Sequence, residues 1–354
     1  MSSLYYSIED DLKKYPKATQ FFIVGGRNTG KTYSTLKYMY ENKIPFGFIK
    51  RTNDDVKLLC AGNKTQVDLS PFKPINRDIG SNVRACILEK GIGAFFNCDE
   101  ANEPIGKAIA HILSLHAVKD IKGFDISEDE FLVFDEFIAM LYQRIDRMEG
   151  AQLLDLWKTA TRDRELRGLP PTKLICLANA TNVNNPIFNT LELVDIVSMM
   201  DVMGEEYYYN EERGIVIHLL HSSEDFTEAE KNSAIYKSMQ GTQWADMAFG
   251  NTFSYNDFSC VGKQSLKRFK PYIELKYKRK IFYIYINDNG EYYMCSSRNN
   301  RSPFSYDLNR ETEQKQFFID KCVDIRMACI NGRMKFETYS MYDLIINYKK
   351  VFRI

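Results

Sequence analysis

The stretch GGRNTGKT, Gly25 to Thr32, constrains this chain more than any other feature, because it fills each required position of the phosphate-binding pattern G-x-x-x-x-G-K-S/T. An apolar run, Gln20-Phe21-Phe22-Ile23-Val24, precedes it, and the pattern from Lys31 to Asn42 predicts a helix. A strand, a glycine loop and a helix in that order aim backbone N–H groups at an anion. Gly25 and Gly30 permit the turn, and the first turn of a helix leaves donors unused. The expected nucleotide-binding residues are Gly25, Gly26, Arg27, Asn28, Thr29, Gly30, Lys31 and Thr32. Lys31 would reach the β- and γ-phosphates and the Thr32 hydroxyl would ligate Mg²⁺, so the expected cofactors are ATP and Mg²⁺.

A second half-site follows well downstream. Phe131-Leu132-Val133-Phe134 is a buried-strand run that ends in Asp135-Glu136. An acid at the carboxyl end of a strand beside a phosphate loop supplies a metal carboxylate, a role that falls to Asp135. Glu136, one residue further, is placed to polarise water for attack on the γ-phosphate, which favours hydrolysis over transfer to another hydroxyl.

The strands expected at Phe21 to Val24, Phe46 to Lys50, Phe131 to Phe134 and Lys173 to Ala178 are nearly all apolar, as in a parallel sheet covered on both faces. The fold class is therefore α/β, with a mostly parallel sheet. A hairpin is expected from Val83 to Glu89 and Gly93 to Cys98, while Ile105 to His116 fits strand or helix. A helix from Gly150 to about Leu166 is stopped by Gly168 and Pro170-Pro171. The expected division is a nucleotide domain over 1–205, a linker subdomain over 206–245 and a strand-rich α+β nucleic-acid-binding domain over 246–354. The linker holds a strand at Ile215 to Leu220 and a helical piece at Thr227 to Gln240. The last domain contains a hairpin around Asn287-Asp288-Asn289-Gly290.

Two features after the acidic pair resemble motor parts. Asn179 ends the Leu174 to Asn179 run, where it either touches the γ-phosphate and reports to the loop Ala180 to Pro186 or simply caps the strand. On the helix, Leu153, Trp157 and Ala160 share a face and Arg162 points away from it, free to enter another subunit's site.

Net charge is zero but unevenly shared, with 19 Lys and Arg against 10 Asp and Glu from Lys263 to Ile354. The densest block is Lys263, Lys267, Arg268, Lys270, Lys276, Lys278, Arg279 and Lys280, interleaved with Phe269, Tyr272 and Tyr277. Phosphate-backbone contact with aromatic stacking fits this block. A solvated face whose aromatics turn inward fits it equally. The eight cysteines include no C-x-x-C and read as buried thiols, and His218 and His221 fall on opposite faces of a strand, which argues against a metal pair. No apolar run nears the roughly 20 residues that cross a bilayer, and the first residues lack a signal-peptide core, so a cytosolic location without membrane contact is expected.

With these residues in place, the chain resembles the DNA-packaging ATPases of small tailed phages of the phi29-like group. The likeness rests on the phosphate loop with Arg27 at its third position, VFDEF (Val133 to Phe137), T-x-x-R-x-R-E (Thr159 to Glu165) and ICLANAT-x-x-x-NP (Ile175 to Pro186). The chain departs from the pattern by longer stretches around 50–105 and at Gly168 to Thr172. The resemblance implies a P-loop NTPase domain of the ASCE (additional strand, catalytic glutamate), RecA-like type, and a C-terminal domain related to ribonuclease H that has lost nuclease activity. It also implies a homomeric ring, a pentamer, acting in the host cytoplasm on double-stranded DNA, with a packaging RNA and the capsid portal as partners. By the same resemblance Arg162 is a trans-acting Arg finger, Lys122 (or Lys119) a trans-acting Lys, and Lys50-Arg51 a basic pair near the nucleotide or the subunit interface. Two other readings stay open: a terminase-like motor with a working nuclease, and a nucleotide switch or loader with slow hydrolysis. The first needs clustered carboxylates, and the strand Ile281 to Ile286 contains none.

Overall fold

A computed structural model describes residues 5–65, 68–117, 126–140, 142–143, 145–162, 164–220, 231–242, 253, 256–297 and 302–354. The chain packs as two compact units, Met1–Leu193 with Met200–Tyr255, and Val194–Met199 with Asn256–Ile354.

The first unit is built on a nine-stranded sheet. Its strands are β1 (Gln20–Gly25), β2 (Phe46–Lys50), β3 (Val83–Glu89), β4 (Ile92–Cys98), β5 (Pro104–Ser114), β6 (Phe131–Asp135), β7 (Lys173–Asn179), β8 (Tyr207–Asn210) and β9 (Ile215–Leu219), in the order β3-β4-β5-β2-β6-β7-β1-β9-β8. The run from β5 to β9 is parallel, and β3, β4 and β8 add antiparallel edges. β1 is buried along its whole length because both faces are covered. Phe21 and Ile23 join a cluster that includes Leu36 and Met39 of the helix Lys31–Glu41 and Val56 and Leu59 of the helix Asn53–Thr65. On the opposite face Phe22 meets Phe137 and Phe188, each ring pair edge-on at 5.7 Å. Each such buried ring contributes about 2–3 kcal/mol of transfer free energy, which sets the sheet's position between its two helical layers.

Three expectations change here. The ambiguous stretch 105–116 is strand β5 followed by a short 3-10 turn, Leu115–Ala117. Strands β8 and β9, assigned from sequence to a linker over 206–245, are hydrogen-bonded into the large sheet, with β9 parallel to β1. β9 (Ile-Val-Ile-His-Leu) is apolar and buried between β1 and β8, while β8, with three half-exposed tyrosines, forms the edge. The helix expected to reach Leu166 spans Glu149–Thr161, and Glu165–Arg167 forms a separate 3-10 turn.

The second unit carries a five-stranded sheet, β10 (Phe269–Tyr277), β11 (Lys280–Asn287), β12 (Tyr292–Cys295), β13 (Phe304–Asp307) and β14 (Met334–Phe336), ordered β13-β10-β11-β12-β14. β10, β11 and β12 form an antiparallel meander, with β13 parallel to β10 and β14 parallel to β12. One face packs on Phe317, Ile325, Leu344, Ile345 and Tyr348, from helices that follow β13 and β14. The first strand is β10, so the acid within it is Glu274, which accepts from Ser305 Oγ at 3.2 Å and lies 3.5 Å from Lys276.

Candidate nucleotide site

Strand register brings the functional residues to one edge of the first sheet. Gly25 of β1 is level with Asn179 of β7, and Asp135 of β6 with Leu177 of the same strand. β7 thus lies between the glycine-loop strand and the acidic strand, and β2 follows on the far side of β6. The carboxyl ends of all four strands converge, which is where open parallel sheets bind ligands.

The glycine loop needs its glycines. Gly30 has φ +86° and Gly25 approaches Leu220 so closely that a Cβ would stand 2.7 Å from the leucine Cβ. Asn28, at φ 61°, takes the left-handed conformation that asparagine tolerates best after glycine. The helix that starts at Lys31 has no acid in its first turn, so the positive end of its dipole and its unused N–H groups are left for an anion. The preceding segment closes over this loop: Tyr6 N donates to Thr29 O at 3.0 Å and Ile8 N to Ser34 Oγ at 3.0 Å.

Lys31 is buried, and its ammonium donates to Gly26 O at 2.6 Å, Gly25 O at 3.3 Å, Thr29 Oγ1 at 3.2 Å and Asn179 Oδ1 at 3.4 Å. Burial pushes its pKa down to about 8, against the pull of Asp135 and with a further push from Arg27. Thr32 Oγ1 donates to Asp135 Oδ1 at 2.8 Å. Lys50 Nζ lies 2.9 Å from Asp135 Oδ2 and 3.9 Å from Glu136 Oε2. Burial works against the charge on Lys50, but the two carboxylates outweigh it and its pKa is raised. Glu136 takes φ 60° and leaves its side chain 65% exposed at the mouth of the site.

One hydroxyl and one carboxylate on a single point suit Mg²⁺, a hard cation that takes most of its ligands from phosphate and water. Among the described residues no group of three or more His, Cys, Asp or Glu stands ready for a protein-only metal site. His218 is instead buried between Asp11 at 2.8 Å and Glu206 at 3.2 Å, and His221 lies outside the described residues.

The chain from residue 1 to 339 matches the family described as podovirus DNA encapsidation protein (Gp16). The chain belongs to that family. It is 22% identical over 338 residues to the DNA packaging protein of Bacillus phage B103, covering 90% of this chain and 93% of that relative. Its fold resembles the structure titled the bacteriophage Phi-29 viral genome packaging motor assembly (TM-score 0.66, 17% identity, 99% of each chain). It also resembles the one titled the Phi-28 gp11 DNA packaging motor (TM-score 0.61, 18% identity, 100% of this chain and 99% of that one).

Within this family member the basic and trans-acting candidates separate. Arg162 is exposed just past the last turn of Glu149–Thr161, so its outward direction comes from the chain leaving the helix rather than from helical periodicity. Arg164, two residues on, is 5% exposed and donates to Ser127 O at 2.7 Å and Pro170 O at 2.9 Å. Lys122 and its competitor Lys119 lie outside the described residues.

The eight basic residues from Lys263 to Lys280 are exposed, but the β10–β11 hairpin divides them. Lys267, Arg268 and Lys270 lie at the end that holds the Asn287–Glu291 turn, where Lys270 pairs with Asp288 at 2.6 Å, while Lys263 follows Gly262, which bonds β14 at Phe336. Lys276, Lys278, Arg279 and Lys280 lie at the other end, around the Tyr277–Lys280 turn. The interleaved aromatics pack inward: Tyr272 meets Tyr292 and Phe304, Tyr277 meets Phe352, and Phe269 meets Tyr293. Of the two readings of this block, the half-buried rings fit the one in which the aromatics turn inward.

Sequence reasoning placed Lys50 and Arg51 near the nucleotide or an interface without choosing, and it missed Glu149 altogether. Arg51 is buried, with Nε 2.8 Å from Glu149 Oε1 and Nη2 3.0 Å from the carbonyls of both Glu136 and Phe137. Nothing in the sequence marks Glu149 as buried; it sits where an exposed helix-start acid is expected.

Proposed function

We propose that this chain is an ATPase that drives double-stranded DNA into a viral procapsid. The observation that carries the reading is the convergence of Lys31, Thr32, Asp135 and Glu136 at adjacent strand ends with β7 between them. The order β9-β1-β7-β6-β2 supports an ASCE-type P-loop core, since the additional strand of that class separates the loop strand from the acidic strand. The 3-2-1-4 order of β12-β11-β10-β13 supports a ribonuclease-H-like relation, from which β14 departs by joining the opposite edge.

In this reading the loop N–H groups and Lys31 hold the β- and γ-phosphates, and Asn179 stands beside Lys31 to sense the terminal one. Thr32 and Asp135 are the protein's share of the Mg²⁺ site; the ion, when bound, neutralises phosphate charge. Glu136 takes a proton from the attacking water, and its exposure leaves room for that water. Arg162 enters the neighbouring subunit's site and neutralises transition-state charge there. A homomeric ring, packaging RNA and the capsid portal complete the assembly in the host cytoplasm, and the basic residues of the second unit contact nucleic acid.

The test is packaging itself. Purified protein, procapsids, packaging RNA and labelled DNA are combined with Mg-ATP, and DNA protected from added nuclease is measured. Protection that requires hydrolysable ATP and disappears with Lys31→Ala supports the motor. ATP turnover that DNA and procapsids do not raise, with no DNA protected, would sink it in favour of a switch.

A further inference from the structure

One buried ion pair joins the turn that carries Glu136 to the helix that ends at Arg162. Arg51 grips the carbonyls of Glu136 and Phe137 with Nη2, both at 3.0 Å, and Glu149 Oε1 with Nε at 2.8 Å. Glu149 is wholly buried and is the first residue of the 13-residue helix Glu149–Thr161, with Arg162 at its far end. Among the described residues its other oxygen, Oε2, has no hydrogen-bond partner, and the His116 ring stands 3.9 Å from Oε1. Burial lifts the Glu149 pKa against the pull of Arg51, so the carboxylate is held there at a cost. Apolar side chains of similar volume would serve packing as well or better. What they could not supply is the planar fork that fixes two backbone carbonyls and a helix start in one geometry.

The helix behaves as a rod about 20 Å long at 1.5 Å per residue. It lies hard against the helix Pro186–Thr190, since a Cβ on Gly150 would stand 2.6 Å from Pro186 O. A shift of the Glu136 turn is therefore carried along the rod rather than absorbed at its start.

We infer that Arg51 and Glu149 are positioning residues that couple the Glu136 turn of one subunit to the Arg162 loop which that subunit offers to its neighbour. The inference rests on the trans-acting reading of Arg162 given above. Both side chains are buried, and the pair acts on what Glu136 and Arg162 do. A change of phosphate charge at Glu136 is thereby felt at the next site, which gives a ring a means of ordering its firing.

Mixed assemblies of full-length chains test this. Arg51→Met combined with Glu149→Met replaces the pair by apolar side chains; it is expected to unfold at a lower temperature, because the carbonyls of Glu136 and Phe137 lose their donor, and to keep wild-type ATP affinity while its own kcat falls by about tenfold. The deciding partner is Arg162→Ala, which keeps Glu136 and needs a neighbour's arginine. Glu136→Gln subunits, with the pair intact, are expected to restore its turnover, whereas the double-Met subunits, which also keep Arg162, restore about a tenth as much at equal co-assembly. Equal restoration by the two donors overturns the coupling, even where the double variant's own kcat is low. No restoration by Glu136→Gln overturns the trans-acting reading, and the inference falls with it. Should the double variant not fold, Glu149→Gln replaces it, because its amide oxygen still accepts from Arg51. Its donation is expected to drop by roughly threefold, and undiminished donation overturns the inference.

Discussion

The Lys31 ammonium lies 2.6 Å from the carbonyl oxygen of Gly26, held by the glycine loop itself. Carbonyl dipoles solvate this buried charge only in part, which is why its pKa stands at about 8 and not at 10.5. Two pH effects of opposite sign follow. Phosphate takes the charged lysine, so ATP affinity is level below about pH 8 and falls by up to tenfold per unit above it. The ligand-free protein is expected to do the reverse. Its folded pKa is below the unfolded one, so between about pH 8 and 10.5 the unfolded chain binds more protons and the Lys31 contribution to stability rises. Calorimetric ATP titrations and chemical unfolding over that window read the two slopes. An affinity unchanged to pH 9.5 would remove Lys31 from the phosphate contacts.

Lys31→Ala removes a charge-assisted phosphate contact, and ATP affinity is expected to drop by about 2 kcal/mol or more. Fluorescent-nucleotide titration checks it. Unchanged binding would mean that the nucleotide sits elsewhere.

Glu136→Gln keeps the shape of the turn, including the carbonyl that Arg51 holds, and removes the base. ATP binding is expected to stay at the wild-type level while turnover falls by roughly 10²-fold or more. A variant that hydrolyses at the normal rate would assign the water to another group.

For the second unit, the two ends of the β10–β11 hairpin make separate predictions. If the Lys276 to Lys280 end meets duplex DNA, reversing charge at Lys278 and Lys280 flattens the log–log salt slope by about 1.8, at roughly 0.9 per contact. Reversal at Lys267 and Lys270 then leaves the slope unchanged, because Lys270 already pairs with Asp288. Binding isotherms across a salt series distinguish the ends, and a slope unmoved by either pair would place the DNA surface on the first unit.

Much of the candidate site was legible because the residues that form it are written in contiguous stretches. The glycine loop, the strand before it and the helix after it are local, and so is the acid pair that closes an apolar strand. The order of the strands was not: nothing in Lys173 to Asn179 says that it inserts between β1 and β6, which is a property of long-range packing. The same holds for β9, an apolar strand that could belong to a separate subdomain until its pairing with β1 is seen. Arg51 and Glu149 were beyond reach for a related reason. A charge is buried only where a partner distant in sequence arrives to meet it, and those two lie 98 positions apart. The basic block shows the opposite failure: neighbours in sequence were read as one surface, and a hairpin carries them to two ends.

Arg162 and Arg164 stand two residues apart in one motif, and the structure gives them different work. The Arg164 guanidinium is buried and holds the carbonyls of Ser127 and Pro170, so it fastens the turn that follows the helix. Removing it takes a donor from the buried carbonyl of Ser127 and from the more exposed one of Pro170, and Arg164→Ala is expected to lower stability by about 1–2 kcal/mol. Arg162 is exposed, so Arg162→Ala is expected to change stability by no more than about 0.5 kcal/mol. Turnover separates them further. As a trans-acting finger Arg162 accounts for roughly 10³-fold or more of the rate, and its alanine variant should bind ATP normally and hydrolyse almost none. Arg164→Ala should lose activity in step with the misplaced turn, and Arg164→Lys, which keeps one donor for those carbonyls, should recover part of both stability and rate. Thermal unfolding and steady-state kinetics on the three variants check this. An Arg162→Ala protein that turns over ATP at the wild-type rate would end the finger assignment, and Arg164 could not inherit it, because its side chain has no path from those carbonyls to another subunit.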